Sequence, residues 1–292
     1  MLTGKRLAVI GGDDRYLHVI QYLTEKGATI YAVGFEKVEF KQNSVQKVGL
    51  EEVVFSDLDG IVLPIGGTSQ SGVVSTHYSD KDAILTKEML EQTKSNCVVY
   101  TGTASEHLRN LVSECERKLV VLFERDDVAI ANSIPTAEAT LQIAMENTKY
   151  TIHGANVLVV GFGRIGITIA RLFDQVGANV TVAARKDADF ARIREMRLQA
   201  VAMNRLSEAA SENDICINTV PSLVLTGDVL EKMNPDGLII DLASKPGGTD
   251  FEAAERLGIR AIHALGLPGK VAPVTAGLIL GETIAELVSR GE

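Results

Sequence analysis

Val157-Leu158-Val159-Val160-Gly161-Phe162-Gly163-Arg164-Ile165-Gly166 is the stretch that decides how this chain folds. Four apolar residues run into a GxGxxG turn. The turn opens residues 164–176, where Ile165, Ile169, Leu172 and Phe173 fall on one helical face. A second strand, 180–184, follows Gly177-Ala178. On its own the GxGxxG spacing occurs by chance in glycine-rich loops. Strand, turn, helix and strand in that order make it a dinucleotide fingerprint rather than a plain βα turn. In that reading Gly161 makes the tight turn, Gly163 lets the backbone approach a pyrophosphate, and Gly166 lets helix and strand pack closely. The helix N-terminus supplies N–H groups and partial positive charge to the phosphates.

The same alternation extends outward. Strand-like runs at 7–10, 28–33, 61–65, 97–100 and 119–123 precede the fingerprint, and runs at 180–184, 200–202, 215–218, 238–242 and 261–262 follow it. Helix-period stretches separate them, which predicts an α/β fold of two Rossmann-like, doubly wound parallel-sheet domains, arranged as in 2-hydroxy-acid dehydrogenases. A chain of 292 residues suits two domains. Leu7-Ala8-Val9-Ile10-Gly11 lies over Val157-Leu158-Val159-Val160-Gly161, and Gly27-Ala28-Thr29-Ile30 over Gly177-Ala178-Asn179-Val180, at one fixed separation. Duplication and the general likeness of βαβ units both account for this repeat. Asn132-Ser133-Ile134-Pro135-Thr136-Ala137-Glu138 carries helix-start chemistry, so a linker helix is expected at 135–150. The expected domains are 1–134, completed by a C-terminal helix 273–292 crossing back to it, and 135–272. That order implies a cleft with two helical hinges.

Which dinucleotide is bound is read at the end of the second strand. An NAD site places Asp or Glu there for the ribose 2′-OH. Here Val182-Ala183-Ala184-Arg185-Lys186 offers no acid before Asp187, and Arg185 can hold a 2′-phosphate bidentately, which predicts NADP. The expected cofactor contacts are Gly161, Gly163, Arg164, Ile165, Gly166, Ala184, Arg185 and Lys186, with Thr219, Val220 and Pro221 bordering adenosine, and Asp241, Leu242 and Ala243 bordering nicotinamide.

The first copy lacks the fingerprint, with Asp13 and Tyr16 where the second has Gly163 and Gly166. A carboxylate in the phosphate turn and a ring at the packing position oppose a dinucleotide there. That loop faces a different ligand, with Arg15 either holding a carboxylate or pairing with a neighbouring Asp. Lys245 and Lys270 lie on loops at the carboxyl edge of the second sheet; each is a candidate substrate cation or a solvated surface charge. Ser133, Thr136 and Thr275 are neutral candidate donors. The five histidines, His18, His77, His107, His153 and His263, form no dense constellation, although His263 ends the last strand. No Ser-His-Asp or HExxH pattern supports hydrolysis, and the acid–base residue is unassigned.

Composition narrows the partners. A formal charge of −9 with scattered Lys and Arg argues against nucleic acid. No apolar run nears the roughly 18 residues of a spanning helix, and after Arg6 only four apolar residues come before Gly11, too few for a signal-peptide core. Three cysteines without a CxxC pair support neither a disulfide framework nor a metal site. A soluble, cytoplasmic homo-oligomer is expected.

Several long strings resemble one family. Ala8-Val9-Ile10-Gly11-Gly12-Asp13, Leu122-Phe123-Glu124-Arg125-Asp126-Asp127, Asn132-Ser133-Ile134-Pro135-Thr136 and Tyr150-Thr151-Ile152-His153-Gly154 are four of them. The fingerprint, Asp241-Leu242-Ala243-Ser244-Lys245-Pro246-Gly247-Gly248-Thr249-Asp250-Phe251 and Gly266-Leu267-Pro268-Gly269-Lys270-Val271-Ala272-Pro273 complete the set. Over essentially its whole length the chain resembles the A subunit of dipicolinate synthase from spore-forming bacteria. The resemblance implies an oxidoreductase that works with a flavoprotein-like B subunit in the mother cell during sporulation. It implies oxidation of a dihydrodipicolinate-type compound from the lysine pathway to the pyridine dicarboxylate. Such a substrate needs its two carboxylates held more than it needs a strong base, which suits Arg15, Lys245 and Lys270 as a clamp in the cleft. The alternatives are a D-2-hydroxy-acid-type dehydrogenase, which requires a His–carboxylate pair, and a non-catalytic NADP-binding subunit.

Overall fold

Short apolar runs bounded by glycine become strands buried on both faces, the usual state of a parallel sheet covered by helices. The computed structural model describes residues 1–292, which divide into Met1–Ala131 with Ala272–Glu292 (unit 1) and Asn132–Val271 (unit 2). Unit 1 contains β1 (Arg6–Ile10), α1 (Asp14–Glu25), β2 (Thr29–Val33), β3 (Val45–Lys47), β4 (Gly60–Val62), β5 (Val73–Val74) and β6 (Ala83–Ile84). It continues through α2 (Lys87–Gln92), β7 (Val98–Thr101), α3 (Glu106–Glu114) and β8 (Lys118–Val121). Its six-stranded parallel sheet has the order β3-β2-β1-β4-β7-β8, and β5 and β6 form a separate antiparallel pair. The order reverses between β1 and β4, so the loops after those strands flank the crevice where open α/β sheets bind ligands. Edge strand β3 and the pair β5–β6 escape the sequence pattern because they are two or three residues long.

Helix α4 (Asp126–Asn147) contains Pro135 well inside it. This corrects the expected linker helix at 135–150: Asn132 and Ser133 are helical rather than capping, and the helix starts nine residues earlier. Asp126 and Asp127 begin it, and acidic residues suit the positive end of the helix dipole. Pro135 has no N–H to offer the carbonyl four residues back, that of Ala131, a loss worth about 3 kcal/mol in an ordinary helix interior. The division between the units falls immediately after that residue.

Unit 2 continues with β9 (Asn156–Val160), α5 (Arg164–Gln175), β10 (Asn179–Ala184), α6 (Asp187–Glu195), β11 (Gln199–Ala202), α7 (Leu206–Ser211) and β12 (Ile215–Asn218). Then come α8 (Gly227–Leu230), β13 (Leu238–Asp241), α9 (Phe251–Leu257), β14 (Arg260–His263) and α10 (Leu267–Val271). Its parallel sheet, β11-β10-β9-β12-β13-β14, repeats the topology of the first. Val157, Val159, Ile169, Phe173, Val182, Ile215 and Ile217 are fully buried in one cluster on it. Burial of the Phe173 ring alone contributes on the order of 2–3 kcal/mol. The fingerprint helix is thereby held against the strand that feeds it.

The last helix, α11 (Pro273–Arg290), belongs to unit 1 and packs on α1. Gly277 lies against the Arg15 carbonyl and Gly281 against the Tyr22 ring, so two glycines admit the close crossing. Leu280, Ile284, Leu287 and Val288 add their side chains to the core beneath β1 and β2.

Candidate dinucleotide site

The carboxyl ends of β9, β10, β12 and β13 open onto a cleft of about 600 Å³ within unit 2. Residues 161–165, 183–186, 219–221 and 242–244 line it, together with Asp189 and Met203. Gly161 has φ +98°, a left-handed conformation that favours glycine, and a Cβ there would lie 2.5 Å from Thr219 Oγ1. A Cβ on Gly166 would run into the Gly161 carbonyl, so both ends of the turn require the missing side chain. Gly163 is different. It is the N-cap of α5, no side chain caps the helix there, and nothing lies within 4 Å of its Cβ position. The uncapped helix end and the open space before it fit a pyrophosphate.

Arg164, Arg185 and Lys186 are exposed cations on this lining, and Asp189, in the first turn of α6, is its one carboxylate. Beside Arg185 a second cavity of about 380 Å³ continues past Met203 and Val220 toward Asn204 and Ser207. Of the expected cofactor contacts, Gly161, Gly163, Arg164, Ile165, Ala184, Arg185, Lys186, Thr219, Val220, Pro221, Leu242 and Ala243 all line the larger cleft, and Gly166 sits beneath it. Asp241 does not line it, which corrects its expected role. Its carboxylate is fully buried and accepts hydrogen bonds from Asn218 Nδ2, the Ala243 and Gly248 amides and Thr249 Oγ1. Phe162, Ala183, Asp189, Met203 and Ser244 also line the cleft and were not among the expected contacts. Met203 follows β11, so its place at the carboxyl edge of the sheet was the available signal.

The same turn in unit 1 is filled. Asp13 is the N-cap of α1, and its Oδ1 accepts from the Arg15 amide at 3.1 Å. The Tyr16 ring lies where a Cβ on Gly12 would project, and its hydroxyl donates to the Leu63 carbonyl at 2.8 Å. The Gly12 amide donates to Ser75, and the His77 amide donates to Gly12. Side chain and backbone together occupy the crevice that unit 2 leaves open.

Three of the six expected substrate donors already have partners. Arg15 pairs bidentately with Asp13, at 2.9 Å from Nε and 2.5 Å from Nη2, and is 9% exposed. Burial pushes the Asp13 carboxyl up, but the hydrogen bonds and charge of Arg15 outweigh it and hold the group below the usual carboxylate range. Ser133 is fully buried and bonded to Thr168 of α5 at 2.6 Å; Thr136, 6% exposed, donates back to the Asn132 carbonyl. Both are corrections: the Ser133 hydroxyl ties α4 to α5 and that of Thr136 bonds back within α4, instead of facing a ligand. Lys245, Lys270 and Thr275 are exposed, Lys245 in the loop after β13, Lys270 in the last turn of α10 and Thr275 in α11.

No histidine lines the cleft. His263 Nε2 is 2.9 Å from the Ala243 carbonyl, and its ring packs 5.2 Å from Phe251, so it buttresses the loop after β13. All three cysteines are buried, and burial reinforced by the Asp241 charge pushes the Cys216 thiol up to about 12. No group of three His, Cys, Asp or Glu side chains is placed to hold a metal, and no helix is long and apolar enough to cross a membrane.

Comparison with known proteins assigns the chain to a family. A family model for the N-terminal domain of the dipicolinate synthase A subunit matches residues 6–123. The chain is 49% identical over 289 residues to the dipicolinate synthase A subunit of Bacillus subtilis (strain 168), covering 99% of this chain and 97% of that protein. The chain belongs to the dipicolinate synthase A-subunit family. The crystal structure of the corresponding protein from Bacillus halodurans matches it with a TM-score of 0.96 at 46% identity, over 99% of each chain. A model described as alanine dehydrogenase/PNT, C-terminal domain, matches residues 128–290 and includes the whole cleft. A transhydrogenase from Sinorhizobium meliloti shares the fold, with a TM-score of 0.72 at 14% identity over 97% of this chain and 93% of that one. The family is thus built on a dehydrogenase-type fold with a dinucleotide-binding second unit.

Proposed function

We propose that the chain is an NADP-dependent oxidoreductase subunit that, together with a B subunit, oxidises a dihydrodipicolinate-type intermediate to dipicolinate during sporulation. The observation that carries this reading is the cleft itself: an uncapped fingerprint helix facing open space, with Arg164, Arg185 and Lys186 around it and no carboxylate at the end of β10. Gly161, Gly163 and the α5 N-terminus would hold the pyrophosphate, Arg185 the 2′-phosphate, and residues 242–244 the nicotinamide side. When bound, NADP supplies a hydride acceptor.

The residues of the chain have little proton chemistry to perform. Turning a dihydropyridine into an aromatic ring gives up a hydride, which NADP would accept, and a proton, which would pass to water. It is favourable in itself and requires the ring C–H to be placed and the carboxylates to be held. That agrees with a cleft whose lining contains no histidine. Lys245, on the loop after β13, and Lys270, in the last turn of α10, are the exposed cations that we assign to the carboxylates. The decisive experiment mixes the purified chain, with and without the B subunit, with freshly generated lysine-pathway intermediate and NADP, and follows dipicolinate absorbance. NADP-dependent formation of dipicolinate is the expected result. Its absence under both conditions, with cofactor binding intact, would overturn this reading; a non-catalytic NADP-binding subunit would instead bind cofactor and show no turnover as the isolated chain.

A further inference from the structure

Asn218 and Asp241 end the adjacent strands β12 and β13 in register with one another, and neither is exposed. A carboxylate so placed is costly unless its oxygens are hydrogen-bonded. Asp241 answers this with four neutral donors, two on each oxygen. Oδ1 accepts from Asn218 Nδ2 at 3.0 Å and the Ala243 amide at 2.9 Å; Oδ2 accepts from the Gly248 amide at 2.8 Å and Thr249 Oγ1 at 2.7 Å. Three of the four lie on the loop that carries residues 242–244 into the cleft. An amide side chain cannot satisfy the set, because one of its two atoms is itself a donor.

The loop is therefore folded around the carboxylate. Its two arms, at Ala243 and at Gly248 and Thr249, are drawn to one point, and Ser244, Lys245 and Pro246 between them are exposed. The neighbouring loop has its own anchor, since Asn218 Oδ1 accepts from the Val220 amide and Asn218 Nδ2 donates to the Val220 carbonyl. Loss of Asp241 would thus loosen the lip formed by 242–244, leaving it only the Leu242 amide on the Asn218 carbonyl and His263 on the Ala243 carbonyl, and leave 219–221 tied. In a doubly wound sheet these lips serve different halves of a dinucleotide. The end of β10 with Arg185 takes the adenosine half, and the loop after β13 takes the other.

We propose that Asp241 is a positioning residue for the nicotinamide half of the cofactor site. It acts by fixing residues 242–244 and does not touch the cofactor. This rests on the reading of the cleft as a dinucleotide site, so the first measurement is binding of NADP and NAD to the wild type by calorimetry. Failure of both overturns that reading and this one before any variant is made.

The test then compares the tighter dinucleotide with its adenosine fragment, adenosine 2′,5′-bisphosphate for NADP or AMP for NAD. In Asp241→Asn the new amide faces the Gly248 N–H, and the loop moves away rather than keep two donors opposed. Re-forming the lip around the cofactor should weaken the dinucleotide about 5- to 150-fold, with fragment affinity within about twofold of the wild type. Thr249→Val removes one donor without altering charge and carries the test if the first variant does not fold. It should lose affinity in the same half-selective way but less, and Thr249→Ser should restore it. Wild-type dinucleotide affinity in both Asp241→Asn and Thr249→Val overturns the proposal. Equal loss of fragment and dinucleotide overturns it too, because Asp241 would then support the unit as a whole.

Discussion

Asp13 and Gly163 hold the same position, the N-cap of the helix that follows the first strand, in the two units, and only Asp13 fills it with an anion. The carboxylate of Asp13 takes up the amide and guanidinium of Arg15, so unit 1 carries its own negative charge where unit 2 leaves room for a phosphate. The Tyr16 ring closes the rest of that crevice.

One dinucleotide should therefore bind per chain, despite the repeated topology. Calorimetry with NADP is expected to return a stoichiometry of one. Gly163→Asp imitates unit 1 and places a carboxylate against the pyrophosphate; like charges at such a distance cost several kcal/mol, so binding should fall by at least about 100-fold. Two equivalent sites, or normal binding by that variant, would show that the anion at the N-cap is not what separates the units.

NADP should bind more tightly than NAD. Arg185 stands at the end of β10 with Lys186 beside it, and the nearest acid on the cleft lining is Asp189, in the next helix. Loss of one charge-assisted phosphate contact in Arg185→Ala should weaken NADP about 10- to 150-fold and leave NAD nearly unchanged. The preference should also shrink as salt is raised, because these cations are exposed. Equal affinities for the two cofactors in the wild type would assign Arg185 to solvent.

The Asp13–Arg15 pair gives unit 1 a pH signature. Arg15 holds the folded-state pKa of Asp13 below its usual value of 3.8. A depressed carboxylate contributes stability that is present above the unfolded pKa and is lost as pH falls through the folded one. The stability difference between wild type and Asp13→Asn should be constant from neutrality down to about pH 4 and should narrow below it. Denaturant titrations at a series of pH values measure this. Arg15→Met, which strands the carboxylate, should cost about 1–3 kcal/mol at neutral pH. A difference that widens on acidification would reverse the assigned sign.

The fold and the cofactor turn were legible in the sequence because both depend on local pattern. Apolar runs such as 157–160 and glycines at 161, 163 and 166 dictate strand, turn and uncapped helix without help from distant residues. Where tertiary contacts decide, pattern fails. Ser133 and Thr136 looked like free donors because nothing in the sequence shows that Thr168 and the Asn132 carbonyl take their hydroxyls. Pro135 looked like a helix start, and its cost inside α4 is outweighed by the burial of Ala137, Ala139 and Ala144 on the unit 2 core. Asp241 has the right address for a cofactor contact, the carboxyl end of a strand. Only the four donors converging on it reveal that it faces inward.

The last prediction concerns the substrate. With Arg15 committed to Asp13 and two hydroxyls committed within helices, the exposed cations Lys245 and Lys270 remain to hold a dianion against a net protein charge of −9. Lys245 projects from the same loop that brings residues 242–244 to the cleft, so a carboxylate it holds lies close to the nicotinamide side. Removing one partner of a charge pair desolvated in a bound complex typically costs about 2–5 kcal/mol. Lys245→Met and Lys270→Met, which retain bulk, should each lower dipicolinate formation by about 30-fold or more. Neither side chain lines the cleft, so NADP affinity should stay within about twofold of wild type. The two measurements must be made separately, since a loss of cofactor binding would move both and would place the lysine in the cofactor site. If both variants turn over at near wild-type rates with NADP bound, the carboxylates are held by other residues, and Thr275 is the next to replace.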